Sequence, residues 1–123
     1  MIDFRSDTVT KPSKEMLDSI VNARVGDDEY SEDPEVNELQ EHCASIFGLE
    51  AGLFVTSGQM GNQIAISILT SPGDEVICSE GSHILNYEKA AAAQLSGVQM
   101  RQIPTDNGMF STKEIDKVLT ESE

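Results

Sequence analysis

Residues 51–79, AGLFVTSGQMGNQIAISILTSPGDEVICS, decide the fold. Ala51 to Thr56 is a short apolar run bounded by turn residues, the pattern of a buried strand. Gly58 to Leu69 carries Ile64, Ala65, Ile66, Ile68 and Leu69, apolar almost all round, which predicts a helix buried on most sides. Pro72-Gly73-Asp74 turns the chain, and Glu75 to Cys78 reads as a second strand. The alternation continues. A helix is expected near Tyr87 to Leu95, drawing on the alanines 90 to 93 and stopped by Ser96-Gly97. Val98 to Ile103 alternates as a third strand, Asp106-Asn107-Gly108 turns, and Ser111 with Glu114 forms a capping box for a last helix. Strand and helix in turn at this spacing predict βαβ units: an α/β fold with a mainly parallel sheet. Three strands make a thin domain, and the last helix stops abruptly at Glu123, so the chain reads as the front part of something longer.

Upstream the chain is irregular and acidic. A helix is expected from Pro12, turning Met16, Leu17, Ile20 and Val21 inward. Asp33 suits a helix N-cap, Pro34 the first helical position, and Gly48 a left-handed close. Between them Val36, Leu39, Cys43, Ile46 and Phe47 form an apolar stripe. The expected division is an N-terminal segment, 1–49, and the front part of a sheet domain, 50–123.

Composition narrows the function. Apolar residues make up 38% of the chain, which excludes a wholly disordered protein. Eight Lys and Arg against 22 Asp and Glu give a net charge of −14. No basic stripe exists for nucleic acid, and an anionic membrane surface would repel the chain. There is no apolar run near the ~20 residues that span a bilayer. The first residues, MIDFRSD, lack the character of a secretory signal. Cys43 and Cys78 are far apart in apolar stretches with no CxxC partner, so they are expected as buried, reduced thiols in a cytoplasmic protein, without a metal. The acids of 27–41 read as a solvated face rather than a cation site, and His42 as a solvated helix position.

Open parallel sheets bind ligands beyond the C-terminal ends of their strands. Ser57-Gly58-Gln59 lies there, between a predicted strand and a predicted helix. Its backbone N–H groups can hold a phosphate or carboxylate, or simply cap the helix. It is neither GxGxxG nor a P-loop, so NAD and ATP are not indicated. His83 follows the second strand, where an imidazole can stack on a flat ligand, act as acid or base, or bond to nearby backbone. Tyr30 and Tyr87 can each offer a hydroxyl to a substrate or pack with it satisfied.

Five segments in order, RSDTVTKP, GDDEYSEDPEVNELQE, LFVTSGQMGNQIA, PGDEVICSEGSHILNYE and LSGVQMRQIPTDNG, resemble the low-specificity L-threonine aldolases. The resemblance runs from Ile2 to about Glu121 and covers the N-terminal portion of such an enzyme. It implies the fold type I architecture of the threonine aldolase and β-eliminating lyase group, with pyridoxal 5'-phosphate as cofactor. It implies retro-aldol cleavage of threonine or allo-threonine to glycine and acetaldehyde, by a cytoplasmic homo-oligomer, dimer or tetramer.

By this resemblance Ser57, Gly58 and Gln59 match the segment that holds the cofactor phosphate, with Gln59 where the family commonly has Thr. His83 matches the histidine that stacks on the pyridine ring and is a candidate base for the substrate hydroxyl. Ser6 matches a residue near the substrate carboxylate, and Tyr30 and Tyr87 match positions lining the site, one or both from a neighbouring subunit. Lys11, Lys14, Lys89, Lys113 and Lys117 do not match the Schiff-base motif. That lysine, the aspartate at the pyridine nitrogen and the carboxylate-gripping arginines are expected beyond this chain. The resemblance thus implies an aldolase as the full-length parent and an inactive piece here. A β-eliminating lyase acting on another amino acid and a non-catalytic remnant of the fold are the alternatives.

Overall fold

A computed structural model describes residues 2–120. The chain forms two compact units, one ending at Phe54 and the other beginning at Val55. In the first, a 3-10 turn at Asp7–Val9 precedes helix α1 (Lys14–Asn22), and a second at Asp28–Tyr30 leads to α2 (Pro34–Phe47). Ser13, not Pro12, starts α1: its Oγ accepts the Met16 N–H at 3.3 Å. Asp33 caps α2 as the sequence predicts, accepting the N–H groups of Glu35 and Val36, each at 3.0 Å. Its other oxygen takes the Gly26 N–H at 3.1 Å, folding the intervening loop back on itself. A Cβ at Gly26 would lie 2.2 Å from the Glu32 carbonyl oxygen, so only glycine fits there.

The expected inward faces of these helices are exposed. No residue of α1 is buried, and of α2 only Ala44 is. Leu39, Ile46 and Phe47 stand in solvent, as does Cys43, while Cys78 is buried; both thiols are free. Amphipathic spacing identifies a helix and its apolar side, but it does not supply the layer that covers that side.

The second unit runs α3 (Gly58–Leu69), β1 (Glu75–Ser79), α4 (His83–Asn86), α5 (Ala91–Ser96), β2 (Gln99–Ile103) and α6 (Thr112–Thr120). Strands β1 and β2 pair in parallel, Glu75 opposite Gln99 through Ser79 opposite Ile103. Ile66 of α3, Ala92 of α5 and Val98 form the core, with Val76 and Met100 packed against them. The turn before β1 is tied to the end of α5: the Gly73 N–H donates to the Gly97 carbonyl at 2.9 Å. Gly97 is left-handed (φ 67), and a Cβ on it would meet Pro72 Cβ at 3.1 Å. Among the described residues no helix is long and apolar enough to cross a membrane.

Three expectations fail here. Residues 51–56 form no strand; the Phe54 N–H donates instead to Gln40 Oε1 at 2.8 Å, and the sheet of the described residues has two strands rather than three. Helix α3 has its expected bounds but buries only Gln63 and Ile66, leaving Ile68 and Leu69 largely exposed. The helix expected near 87–95 begins only at Ala91, because Lys89 and Ala90 are both left-handed (φ 51 and 60). At the last helix the capping-box glutamate does reach back: Glu114 Oε2 accepts the Ser111 N–H at 2.5 Å.

A left-handed residue with a Cβ costs about 1–2 kcal/mol. Ala90→Gly is therefore expected to raise the free energy of unfolding by about 1 kcal/mol, once the greater freedom of glycine in the unfolded chain is deducted. Urea denaturation checks this as a higher midpoint at unchanged slope.

Candidate active site

Strand β1 delivers the chain to Ser79, and one turn, closed by the Ser82 N–H on the Ser79 carbonyl at 3.0 Å, sets His83 at the start of α4. His83 Nδ1 lies 2.9 Å from Glu88 Oε1. That same oxygen accepts Asn62 Nδ2 at 2.8 Å, and Glu88 Oε2 accepts Gln63 Nε2 at 2.7 Å. Glu88 is 1% exposed, the largest fully buried side chain among the described residues. Burial pushes its carboxyl up, but the bonds from Asn62, Gln63 and His83 outweigh burial and hold it below the ordinary glutamate range. A buried carboxylate is tolerable only when its oxygens are satisfied in this way.

The His83 side chain is 65% exposed. Its ring lies 5.3 Å from that of Tyr87, tilted by 33°, and Tyr87 is itself exposed. The pair forms an open aromatic shelf anchored from beneath through Nδ1. The bond reaching His83 thus comes from a side chain and not from the backbone.

At the start of α3, Ser57 Oγ accepts the Met60 N–H at 3.1 Å and the Ser57 carbonyl accepts that of Gly61 at 3.2 Å. The N–H groups of Gly58 and Gln59 have no acceptor among the described residues. A Cβ at Gly58 would meet no protein atom within 4 Å, so the fold does not itself require glycine there. A cavity of about 480 Å³ between α3 and α5 is lined by Ser57, Gln59, Gln63, Ala91 and Leu95. The two N–H groups without an acceptor among the described residues, at the positive end of a helix, suit a small anion.

Ser57, Gly58, Gln59, His83 and Tyr87 belong to the second unit; Ser6 and Tyr30 belong to the first. Ser6 caps the Asp7–Val9 turn, accepting the Thr8 N–H at 3.2 Å, and Tyr30 closes the second 3-10 turn with its side chain exposed. The residues that the sequence reading missed are Glu88, Asn62 and Gln63. Their signals are an acid placed at the edge of an alanine run and a polar pair inside an otherwise apolar helix.

Residues 3–123 match the family model of the beta-eliminating lyases. The chain belongs to this family. Over 118 residues it is 41% identical to the low specificity L-threonine aldolase of Escherichia coli (strain K12), covering 96% of this chain and 35% of that protein. Over 113 residues it is 41% identical to the probable low-specificity L-threonine aldolase of Schizosaccharomyces pombe, covering 91% of this chain and 30% of that one. It is 36% identical over 109 residues to the alanine racemase TOXG of Cochliobolus carbonum, covering 88% and 28%. The chain spans about a third of the length of such relatives.

The Glu88 carboxyl gives a pH prediction. Because folding lowers it, its contribution to stability is fully present above the unfolded value of about 4.3 and is lost as pH falls through the lowered folded value. Glu88→Gln is expected to flatten that acid limb. Urea midpoints measured between pH 3 and 7 check this: the gap between wild type and variant should shrink below about pH 4.3.

Proposed function

We propose that this chain supplies the phosphate-holding and ring-stacking part of a pyridoxal 5'-phosphate enzyme of fold type I that cleaves L-threonine or L-allo-threonine to glycine and acetaldehyde. Two threonine aldolases among the relatives support the reaction, and family membership supports the cofactor. The observation that carries the reading is the junction at Glu88. It ties the helix whose Gly58 and Gln59 N–H groups lack acceptors among the described residues to the histidine whose exposed ring faces out.

The residues fit the cofactor. The N–H groups of Gly58 and Gln59, with Ser57 beside them, would hold its phosphate, and the open space at the missing Gly58 Cβ allows close approach. His83 would stack on its ring. When bound, the cofactor withdraws the electron pair left at Cα once the Cα–Cβ bond breaks. The chain's own part is to hold the substrate against that ring and to take the proton of the β-hydroxyl, for which His83 is the base. Ser6 would lie near the substrate carboxylate, and Tyr30 and Tyr87 would line the site, within a cytoplasmic homo-oligomer. By itself the 123-residue chain is inactive in this reading, since none of its lysines matches the Schiff-base motif. A second reading, other Cα chemistry such as β-elimination or racemisation, draws on the family description and on the relative named alanine racemase.

The test grafts this chain onto the E. coli relative in place of its matching segment. The graft is expected to take up pyridoxal phosphate and release glycine from L-threonine. A graft that folds and binds the cofactor but releases no glycine contradicts the reading, and ammonia with a keto acid as the product would favour elimination. In the graft, Gly58→Val should lose cofactor affinity while keeping its fold, and Gln59→Thr should be nearly silent. His83→Phe should retain the cofactor yet lose about 10²–10⁴-fold in kcat. Cofactor titration and steady-state assays read both effects.

A further inference from the structure

We infer that Glu88 is a positioning residue: its buried carboxylate fixes His83 with the proton on Nδ1, leaving Nε2 as a proton acceptor on the exposed side of the ring. A carboxylate accepts hydrogen bonds and cannot donate one. The nitrogen 2.9 Å from it must therefore carry the hydrogen. Glu88 cannot turn away, because Asn62 and Gln63 occupy its oxygens from α3. Among the described residues no other hydrogen bond reaches the His83 ring, so Nε2 is left as its one open nitrogen. A neutral ring held this way accepts a proton at Nε2 and donates none there. On taking one, its positive charge sits against the Glu88 carboxylate. Among the described residues the ionisable side chains shown against the ring are Glu88 and Tyr87, the latter through its ring.

That Nε2 receives the β-hydroxyl proton rests on the reading proposed above. The tautomer does not, so the two can fail separately. The test uses the 123-residue chain with ¹⁵N-labelled histidine and needs neither cofactor nor substrate. The chain has two histidines, His42 and His83, and His42→Gln assigns the signals. With the rings neutral, long-range ¹H–¹⁵N spectra are expected to show His83 predominantly protonated at Nδ1. His42, exposed and without such a partner, should show the Nε2-protonated form that free histidine favours. In Glu88→Met, which leaves no oxygen to accept the Nδ1–H, His83 should move towards the Nε2-protonated form. Predominant protonation at Nε2 in the wild-type chain would overturn the inference whether or not the variant folds. So would a folded Glu88→Met chain with an unchanged tautomer. If the tautomer is as expected but His83→Phe leaves kcat intact in the graft, the catalytic reading fails and the positioning stands.

Discussion

The second unit depends on one buried carboxylate. Among the described residues Glu88 has no basic side chain beside it apart from His83, and it is almost wholly removed from water. Desolvating a carboxylate is costly, and three donors from two separate segments offset that cost. Two of the donors sit at adjacent positions on α3, five and six residues after the Ser57 cap. The third is the histidine after β1. A displacement of either segment would strand an ionised group in the interior, so their relative position is held within hydrogen-bond tolerance.

The local backbone reflects this demand. Lys89 and Ala90 follow Glu88 directly, and both are left-handed although neither is glycine. Such strain persists where the surroundings over-determine a conformation. It also accounts for the helix expected from Tyr87 starting only at Ala91: propensity favours helix through the alanines, but the left-handed pair Lys89 and Ala90 interrupts it. Intrinsic preference is a weak prior when a buried ionic group sets the geometry.

What was legible follows the same division. Features fixed by near neighbours read correctly: the Asp33 cap, the Gly48 close and the bounds of α3. Features fixed by distant partners read only in part: β1 and β2 pair in parallel as expected, but no third strand joins them among the described residues. The run 51–56 looks like a strand, yet its pairing depends on what lies beside it, which alternation alone does not specify. The apolar stripes of α1 and α2 were visible, but their cover was not. At the candidate site, His83 could be singled out because it follows a strand, and Ser57-Gly58-Gln59 because it opens a helix, although the run before it forms no strand. Glu88 could not, since its significance lies in contacts 25 and 26 residues away in sequence.

The most direct measurement is a double-mutant cycle between Gln63 and Glu88, using Gln63→Ala, Glu88→Ala and the pair, read by urea unfolding. If the buried carboxylate holds α3 to the histidine segment, the coupling should be about 1.5–3 kcal/mol, the range for a hydrogen bond to a charged group. Additive single effects, with no coupling beyond experimental error, would contradict that account of the site.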